Sequence, residues 1–489
     1  MKISEYQNET SICILHTNDT HSYLDDFAKR AYLVKKIREE NSKQNIDTFL
    51  FDCGDALTGS IYFFLYEGEK EAELMNLLAY DAMTLGNHEF DRGSALLANF
   101  LEKIQFPVVS ANIDVDKDRD LHPYYNKKLF PFIIKELCNG EKIAVIGLTT
   151  ETTPDSAAPS KHTIFSDPIQ TASKMIKEVK CLGVKKIIIL SHLGKAVDQQ
   201  LASEVDGIDV ILGGHSHDLL EEPIVVHREA SQTIIVQAGE YGKYLGEVII
   251  KFSGNGEVKS ANSRIYRVDT MVEEDHEVKI IIDKIKKEKD QTASNIIGEI
   301  ATDLVGDRES LSRGKSSVGN LVTDAFYHKA KEHYSSIDVA VMNGGGIRSS
   351  ISKGRVTTAD IIRILPFSKT LMILEATGEE IKEALEYGSF PQVSQLKVVY
   401  NMDNPLGSRI TDILIARDNR WIPLQAKEKY AVATNSFVSA GRDNFIGFKK
   451  AKVIYSDLDL DITVLSDFIA TCKQPIRYEF KQRVFYDND

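Results

Sequence analysis

Ile12-Cys13-Ile14-Leu15 runs without a polar break into His16-Thr17-Asn18-Asp19-Thr20-His21. A short apolar, partly β-branched run that stops abruptly in polar residues reads as a strand buried on both faces, with a loop after it. The same grammar recurs through the first half of the chain. Residues 48–51 lead into Asp52-Cys53-Gly54-Asp55, residues 82–85 into Gly86-Asn87-His88-Glu89, and residues 108–110 into Ala111-Asn112. Residues 187–190 lead into Ser191-His192, and residues 210–212 into Gly213-Gly214-His215-Ser216-His217. Helix-length segments separate these runs, which is the pattern of a layered α/β domain whose loops gather outside the carboxyl ends of the strands. Six polar clusters would then converge on one edge of the sheet, and they repeatedly carry metal-binding residue types.

The chemistry of those clusters is specific. Asp19 and His21, two residues apart, share one face of an extended chain and so can reach one cation. Carboxylate, amide and imidazole together suit Mn, Zn, Fe, Co or Ni better than Ca. Two cations about 3.5–4 Å apart need a bridging group, usually a carboxylate, and Asp55 is the best placed. Asn87 is an uncommon ligand type that packing rarely explains. His88, next to it, can stand over the site without binding metal, and Asp91 can hold the His88 imidazole in one orientation. His192, His215 and His217 complete the set, while Cys53 reads as a small residue packing at a strand end.

Composition narrows the class. At 489 residues the chain exceeds one ordinary core, so two domains are expected. A net charge of −13 argues against a general nucleic-acid binder, because phosphate backbones are held by an excess of Lys and Arg. A small anionic substrate remains compatible, since a metal pair or a few arginines reverse the local field. The five cysteines are odd in number and never spaced C-x-x-C, which points away from a disulfide framework and towards a reducing compartment. Residues 1–10 carry no apolar signal core, and no stretch approaches the roughly 20 apolar residues of a membrane span. A cytoplasmic protein without nucleic-acid or membrane partners, monomeric or dimeric, is the expectation.

Around residues 271–295 the sequence turns charged and lysine-rich. Val278, Ile281, Ile282 and Ile285 fall at i, i+3, i+4 and i+7, which predicts an amphipathic connecting helix. A second α/β region follows, with a strand at residues 339–342, a glycine-rich turn at Asn343-Gly344-Gly345-Gly346, a helix over residues 378–387, and strands at 397–400 and 430–433. The three glycines let a ligand approach the backbone closely, and Arg348 suits an anion through its fixed fork of donors.

These motifs (Asp-x-His, Gly-Asp, Gly-Asn-His-Glu, Ser-His and Gly-Gly-His-Ser-His) resemble those of the calcineurin-like metallophosphoesterases. With the second half included, the chain resembles the 5′-nucleotidase family over roughly residues 11–444. The resemblance implies a four-layer α/β/β/α metallophosphoesterase domain at residues 1–270, a linker helix at 271–295 and an α/β substrate-binding domain at 296–489. It implies two divalent metal ions, with Mn, Zn or Co favoured. One would be held by Asp19, His21 and His217, the other by Asn87, His192 and His215, with Asp55 bridging. Relatives often carry Gln or Asn where His217 stands. The family's catalytic pair matches His88 and Asp91, and the implied reaction is hydrolysis of nucleoside 5′-monophosphates by in-line attack of metal-bound hydroxide. UDP-sugars, dinucleotides and 2′,3′-cyclic nucleotides are alternative substrates within the family, and an inactive nucleotide-binding protein is the alternative of another class.

For the second half the resemblance assigns the nucleoside to Asn343 and Gly346, phosphate to Arg348, a base sandwich to Phe367 and Phe437, and the ribose hydroxyls to Asp443. Relatives carry a further Arg five residues before an Asn-x-Gly-Asn segment. Here Arg313 stands one residue out of step, and Ser317 takes the place of the Asn. In the family the second domain rotates to carry substrate to the metals.

Overall fold

The computed structural model describes residues 9–228, 232–418, 420–456 and 458–487. Residues 1–8, most of the segment read above for a signal core, lie outside the described residues. The chain divides into two compact units, Met1–Glu288 and Lys289–Asp489. The division falls within the helix His276–Ala293. Val278, Ile282 and Ile285 are that helix's buried residues, and they join the core of the first unit. No helix among the described residues is long and apolar enough to cross a membrane.

The six runs of the first half are strands, but they do not share one sheet. Thr10–Thr17, Asp47–Asp52, Ala82–Thr84 and Val108–Val109 are neighbours in a seven-stranded sheet. Lys186–His192 and Val210–Leu212 lie in a separate six-stranded sheet, beside Lys142–Thr149 and Gln232–Val236. The expectation of a single edge is corrected accordingly: the polar clusters come from the carboxyl ends of two sheets.

Side-chain alternation along the strands shows how the layers form. Ile12 and Ile14 pack with Val145, Ile188, Leu190, Val210 and Leu212 in a core between the sheets, which also takes in Cys53. Cys13 and Leu15, pointing the other way, pack among the helices that include Phe27–Ser42 and Gly93–Lys103. On the far side, Ile187, Ile189 and Ile211 meet the helices Pro168–Cys181 and Lys195–Glu204. Each strand is apolar on both faces because each sheet is covered on both faces, giving the α/β/β/α stack.

In the second unit a five-stranded sheet runs Pro391–Ser394, Val339–Asn343, Lys429–Asn435, Leu371–Thr377, Lys452–Tyr455. A four-stranded sheet holds Arg420–Pro423, Ile410–Arg417, Leu396–Tyr400 and Val484–Tyr486. Val341, Val432, Val398 and Ile415 from both sheets share one core with Ile381 and Leu385 of the helix Gly378–Tyr387. That helix begins in a capping box of Thr377 and Glu380, the two satisfying each other's backbone donors.

Candidate active site

The loops after the strands are held in strained backbone. Asp19, His21, Asp55, His215 and His217, five of the seven ligand candidates, have φ of 49°, 48°, 54°, 75° and 59°. A non-glycine residue in this left-handed region costs roughly 1–2 kcal/mol and persists only when its surroundings over-determine it. Asp19 and His21 therefore reach one point from a left-handed turn and not from the extended chain that the sequence suggests. Hydrogen bonds between loops supply the constraint. The N–H groups of Asp19, His21 and Ser22 donate to the carbonyls of Gly54, Asp55 and Ala56 at 3.0, 2.9 and 2.9 Å. Two glycines make this crowding possible. A Cβ on Gly54, whose φ is +88°, would stand 2.5 Å from the Gly86 nitrogen, and one on Gly86 would stand 2.1 Å from Asp55 Oδ1.

Two groups of ligand atoms result: Asp19, His21 and His217 in one, and Asp55, His192 and His215 in the other. In the first, His217 Nε2 lies 3.2 Å from His21 Nε2 and 3.3 Å from Asp19 Oδ1. In the second, His192 donates from Nδ1 to the Cys53 carbonyl at 2.7 Å, which turns Nε2 towards Asp55 Oδ2 at 3.1 Å. The same Oδ2 lies 3.8 Å from His21 Nε2, so Asp55 reaches both groups. Asp19, Asp55 and His192 are almost fully buried, as is Asn87. Asn87 Oδ1 has no hydrogen-bond partner, and neither has His192 Nε2, which is near Asp55 without being aligned to it. Buried polar atoms without partners are costly unless another ligand satisfies them. Converging imidazole nitrogens, carboxylate oxygens and an orphaned amide oxygen fit divalent cations.

Further residues hold the ligands in place. Asn18 donates from Nδ2 to Asp19 Oδ2 and to the Gly239 carbonyl, both at 2.7 Å, and the His215 N–H donates to Asp19 Oδ2 at 3.0 Å. Glu89 accepts the N–H groups of Asp55, Ala56, Leu57 and Gly86 at 2.6–3.1 Å, tying two loops to one buried carboxylate. His217 Nδ1 is 2.7 Å from Glu240 Oε2. Sequence reading missed these three roles. Glu89 stood inside the quoted motif and Asn18 beside a ligand, whereas nothing local marks Glu240. Asn112, after the fourth of the six strands, instead bridges Thr149 and Ser166.

His88 stands beside the first group, its ring centroid 5.2 Å from that of His21. Its Nδ1 meets Asp91 Oδ2 at 2.7 Å, and its N–H donates to Asp55 Oδ1 at 2.8 Å. The electrostatics are those of carboxylates and imidazoles packed together, each shifting the other. Burial would raise the Asp55 pKa, but His192, His88 and His21 outweigh it and hold the carboxyl well below the usual range. Burial opposes charge on His192, yet Asp55 and Asp19 push it up to about 10. Burial and the Asp55 charge push Glu89 up to about 7.

In the second unit, Asn343 ends its strand and donates from Nδ2 to Asp443 Oδ2 at 2.6 Å. A Cβ on Gly346 would lie 3.3 Å from Asn343 Oδ1, so Asn343, the glycine turn and Asp443 form one cluster. The Arg348 guanidinium lies 5.9 Å from the Phe367 ring, and Lys369 Nζ lies 5.8 Å from the Phe437 ring. Arg313 is exposed and paired with Glu309 at 3.2 Å. In the helix Arg308–Ser312, which Arg313 follows, Arg308 lies 6.0 Å from the ring of Phe390, whose carbonyl accepts the Gly344 N–H.

Comparisons with known proteins agree with this architecture. The family model for the calcineurin-like phosphoesterases matches residues 13–219, and that for the 5′-nucleotidase C-terminal domain matches residues 296–450. The trifunctional nucleotide phosphoesterase protein YfkN of Bacillus subtilis (strain 168) is 36% identical over 480 residues. That alignment covers 90% of this chain and 32% of YfkN, so the chain spans about a third of that relative's length. The 5′-nucleotidase of Diplobatis ommata is 31% identical over 515 residues, 94% of this chain and 88% of that protein. The crystal structure of the 5′-nucleotidase precursor from Thermus thermophilus matches with a TM-score of 0.76 at 31% identity, covering 98% of this chain and 100% of that one. The chain belongs to the 5′-nucleotidase family and is a metal-dependent phosphoester hydrolase.

Proposed function

We propose that the protein removes phosphate from nucleoside 5′-monophosphates, using two divalent cations held by Asp19, His21 and His217 and by Asn87, His192 and His215. The single observation that carries the two-cation reading is Asp55 Oδ2, 3.1 Å from an imidazole nitrogen of one group and 3.8 Å from one of the other. When bound, such a pair supplies Lewis-acid pull on a phosphoryl oxygen and acidifies a water. The chain's own residues do the rest. Asp91 accepts from His88 Nδ1, which fixes the ring's orientation, and with the second nitrogen also protonated Nε2–H is the donor that faces the phosphoryl group as charge builds there. Asn343 and Asp443 recognise the nucleoside, Phe367 and Phe437 stack on the base, and Arg348 and Arg313 take phosphate.

A phosphate-release screen tests this reading over nucleoside monophosphates, UDP-sugars, dinucleotides and cyclic nucleotides, run separately with Mn, Zn, Co and Mg. The monophosphates are expected to turn over fastest, and no turnover of any ester with any metal would overturn it. The word "trifunctional" in the name of the YfkN relative favours a second reading, in which several nucleotide esters are cleaved at comparable rates.

A further inference from the structure

His217 is a candidate ligand of the first group, and an imidazole in that place raises a problem that an amide would not. An amide oxygen has one way to face a cation. A neutral imidazole has two tautomers, and only the one protonated at Nδ1 presents the Nε2 lone pair as a ligand. His217 Nε2 faces His21 Nε2 at 3.2 Å and Asp19 Oδ1 at 3.3 Å, so Nε2 is the atom aimed at the shared point. On the other side of the ring, Nδ1 is 2.7 Å from Glu240 Oε2. A carboxylate can only accept, so Nδ1 carries the proton.

Glu240 is itself well placed to hold that ring. Its segment is bonded to both ligand loops. Gln237 Oε1 accepts from the Asp218 N–H at 2.8 Å, the Gly239 N–H donates to the Asp218 carbonyl at 3.0 Å, and the Tyr241 N–H donates to the Asp19 carbonyl at 2.7 Å. Lys243 Nζ meets Glu240 Oε1 at 3.0 Å, leaving Oε2 for the imidazole. Tyr241, with φ of 56°, packs its ring 5.8 Å from that of His217 and 5.7 Å from that of His21.

We propose that Glu240 is the positioning residue that makes His217 a metal ligand, by accepting the Nδ1 proton and fixing the imidazole in the cluster with Asp19 and His21. This rests on the two-cation reading above. Carboxylates in this position typically contribute about 10–100-fold in metal affinity.

The test is titration of the full-length, metal-stripped protein with Mn²⁺ alone, read by calorimetry, by bound-metal content and by Mn²⁺ paramagnetic resonance. Wild type is expected to bind two ions and show a coupled two-ion signal. Glu240→Ala is expected to bind the ion at Asp19, His21 and His217 about 10–100-fold more weakly. It should keep the ion at Asp55, His192 and His215, which also reports that the variant folds. Glu240→Gln retains an acceptor oxygen and is expected to stay within about threefold of wild type, well short of the Ala loss. In a His217→Gln background, where no tautomer needs fixing, Glu240→Ala should cause no further loss. Unchanged two-ion affinity in Glu240→Ala would overturn the proposal, as would a loss that persists undiminished in the His217→Gln background. Wild type that binds no ion would instead overturn the two-cation reading itself.

Discussion

Asp55 and Asp209 are both acids set at the ends of parallel strands in the first unit, and they are used in opposite ways. Asp55 follows the strand Asp47–Asp52 at its carboxyl end, in left-handed backbone, with one oxygen directed at two imidazoles. Asp209 precedes Val210–Leu212 at the amino end. It accepts the Ile187 N–H at 2.7 Å while its own N–H donates to the Ile187 carbonyl at 3.0 Å. Asp81 repeats this before Ala82–Thr84, accepting the Leu50 N–H at 2.9 Å and donating to its carbonyl at 2.8 Å. At the amino ends a carboxylate extends backbone pairing by one step and is spent on the fold. At the carboxyl ends the backbone is satisfied between loops, at the cost of left-handed strain, and the side chains are left for a ligand.

The largest effect is therefore expected at Asp55. Asp55→Ala removes the oxygen common to both groups, and a metal site of this kind is worth several kcal/mol of transition-state stabilisation, on the order of a thousandfold in rate. Phosphate release should fall by that order and bound metal should drop below two per chain. A variant that keeps two ions and most of its activity would dissolve the distinction between the two strand ends.

His88→Ala comes next. Its imidazole touches Asp91 and the ring of His21, and it is outside both ligand groups. Turnover should fall by at least about tenfold, with roughly 10²–10⁴-fold typical for losing a general acid or base, while metal content stays at two. Full activity would remove His88 from the reaction.

Gly86→Ala tests the crowding. The added methyl would stand 2.1 Å from Asp55 Oδ1, so either that carboxylate or the loop must move. Overpacking of this kind costs about 1–3 kcal/mol. Weaker metal binding should accompany the lowered melting temperature. A variant that melts like wild type and binds both ions would show that the loops tolerate more than their spacing suggests.

The two ends also differ in how much of them the sequence discloses. That Asp19, His21 and His217, and Asp55, His192 and His215, gather in two candidate clusters was readable because ligand chemistry limits the residue types and strand ends limit where they occur. The α/β/β/α stack was legible through the resemblance, whereas the run-and-loop grammar alone suggested a single sheet. Periodicity marks which residues are buried and not which partner strand buries them. Glu240 was invisible because it lies 23 positions from His217 and meets it only through the fold.

The smallest effect belongs to the amino end, and it is a matter of pH. Burial pushes the Asp209 carboxyl up to about 7, against the opposing pull of the Ile187 N–H, Lys186 and Lys180. Its folded value thus stands above the roughly 3.9 of an unfolded chain, so the folded state holds this proton more tightly. The stability this contributes is complete below about pH 4 and is lost as pH rises through 7. Asp209→Asn keeps an oxygen to accept the Ile187 N–H and has no charge to bury. Its melting temperature should match wild type below about pH 4 and exceed it at pH 8, where the wild-type carboxyl must be buried charged. Scanning calorimetry across that range decides the matter, since a difference independent of pH would mean that Asp209 is not titrating in the folded protein. Metal content should be unchanged throughout, because this acid serves the sheet and touches no ligand.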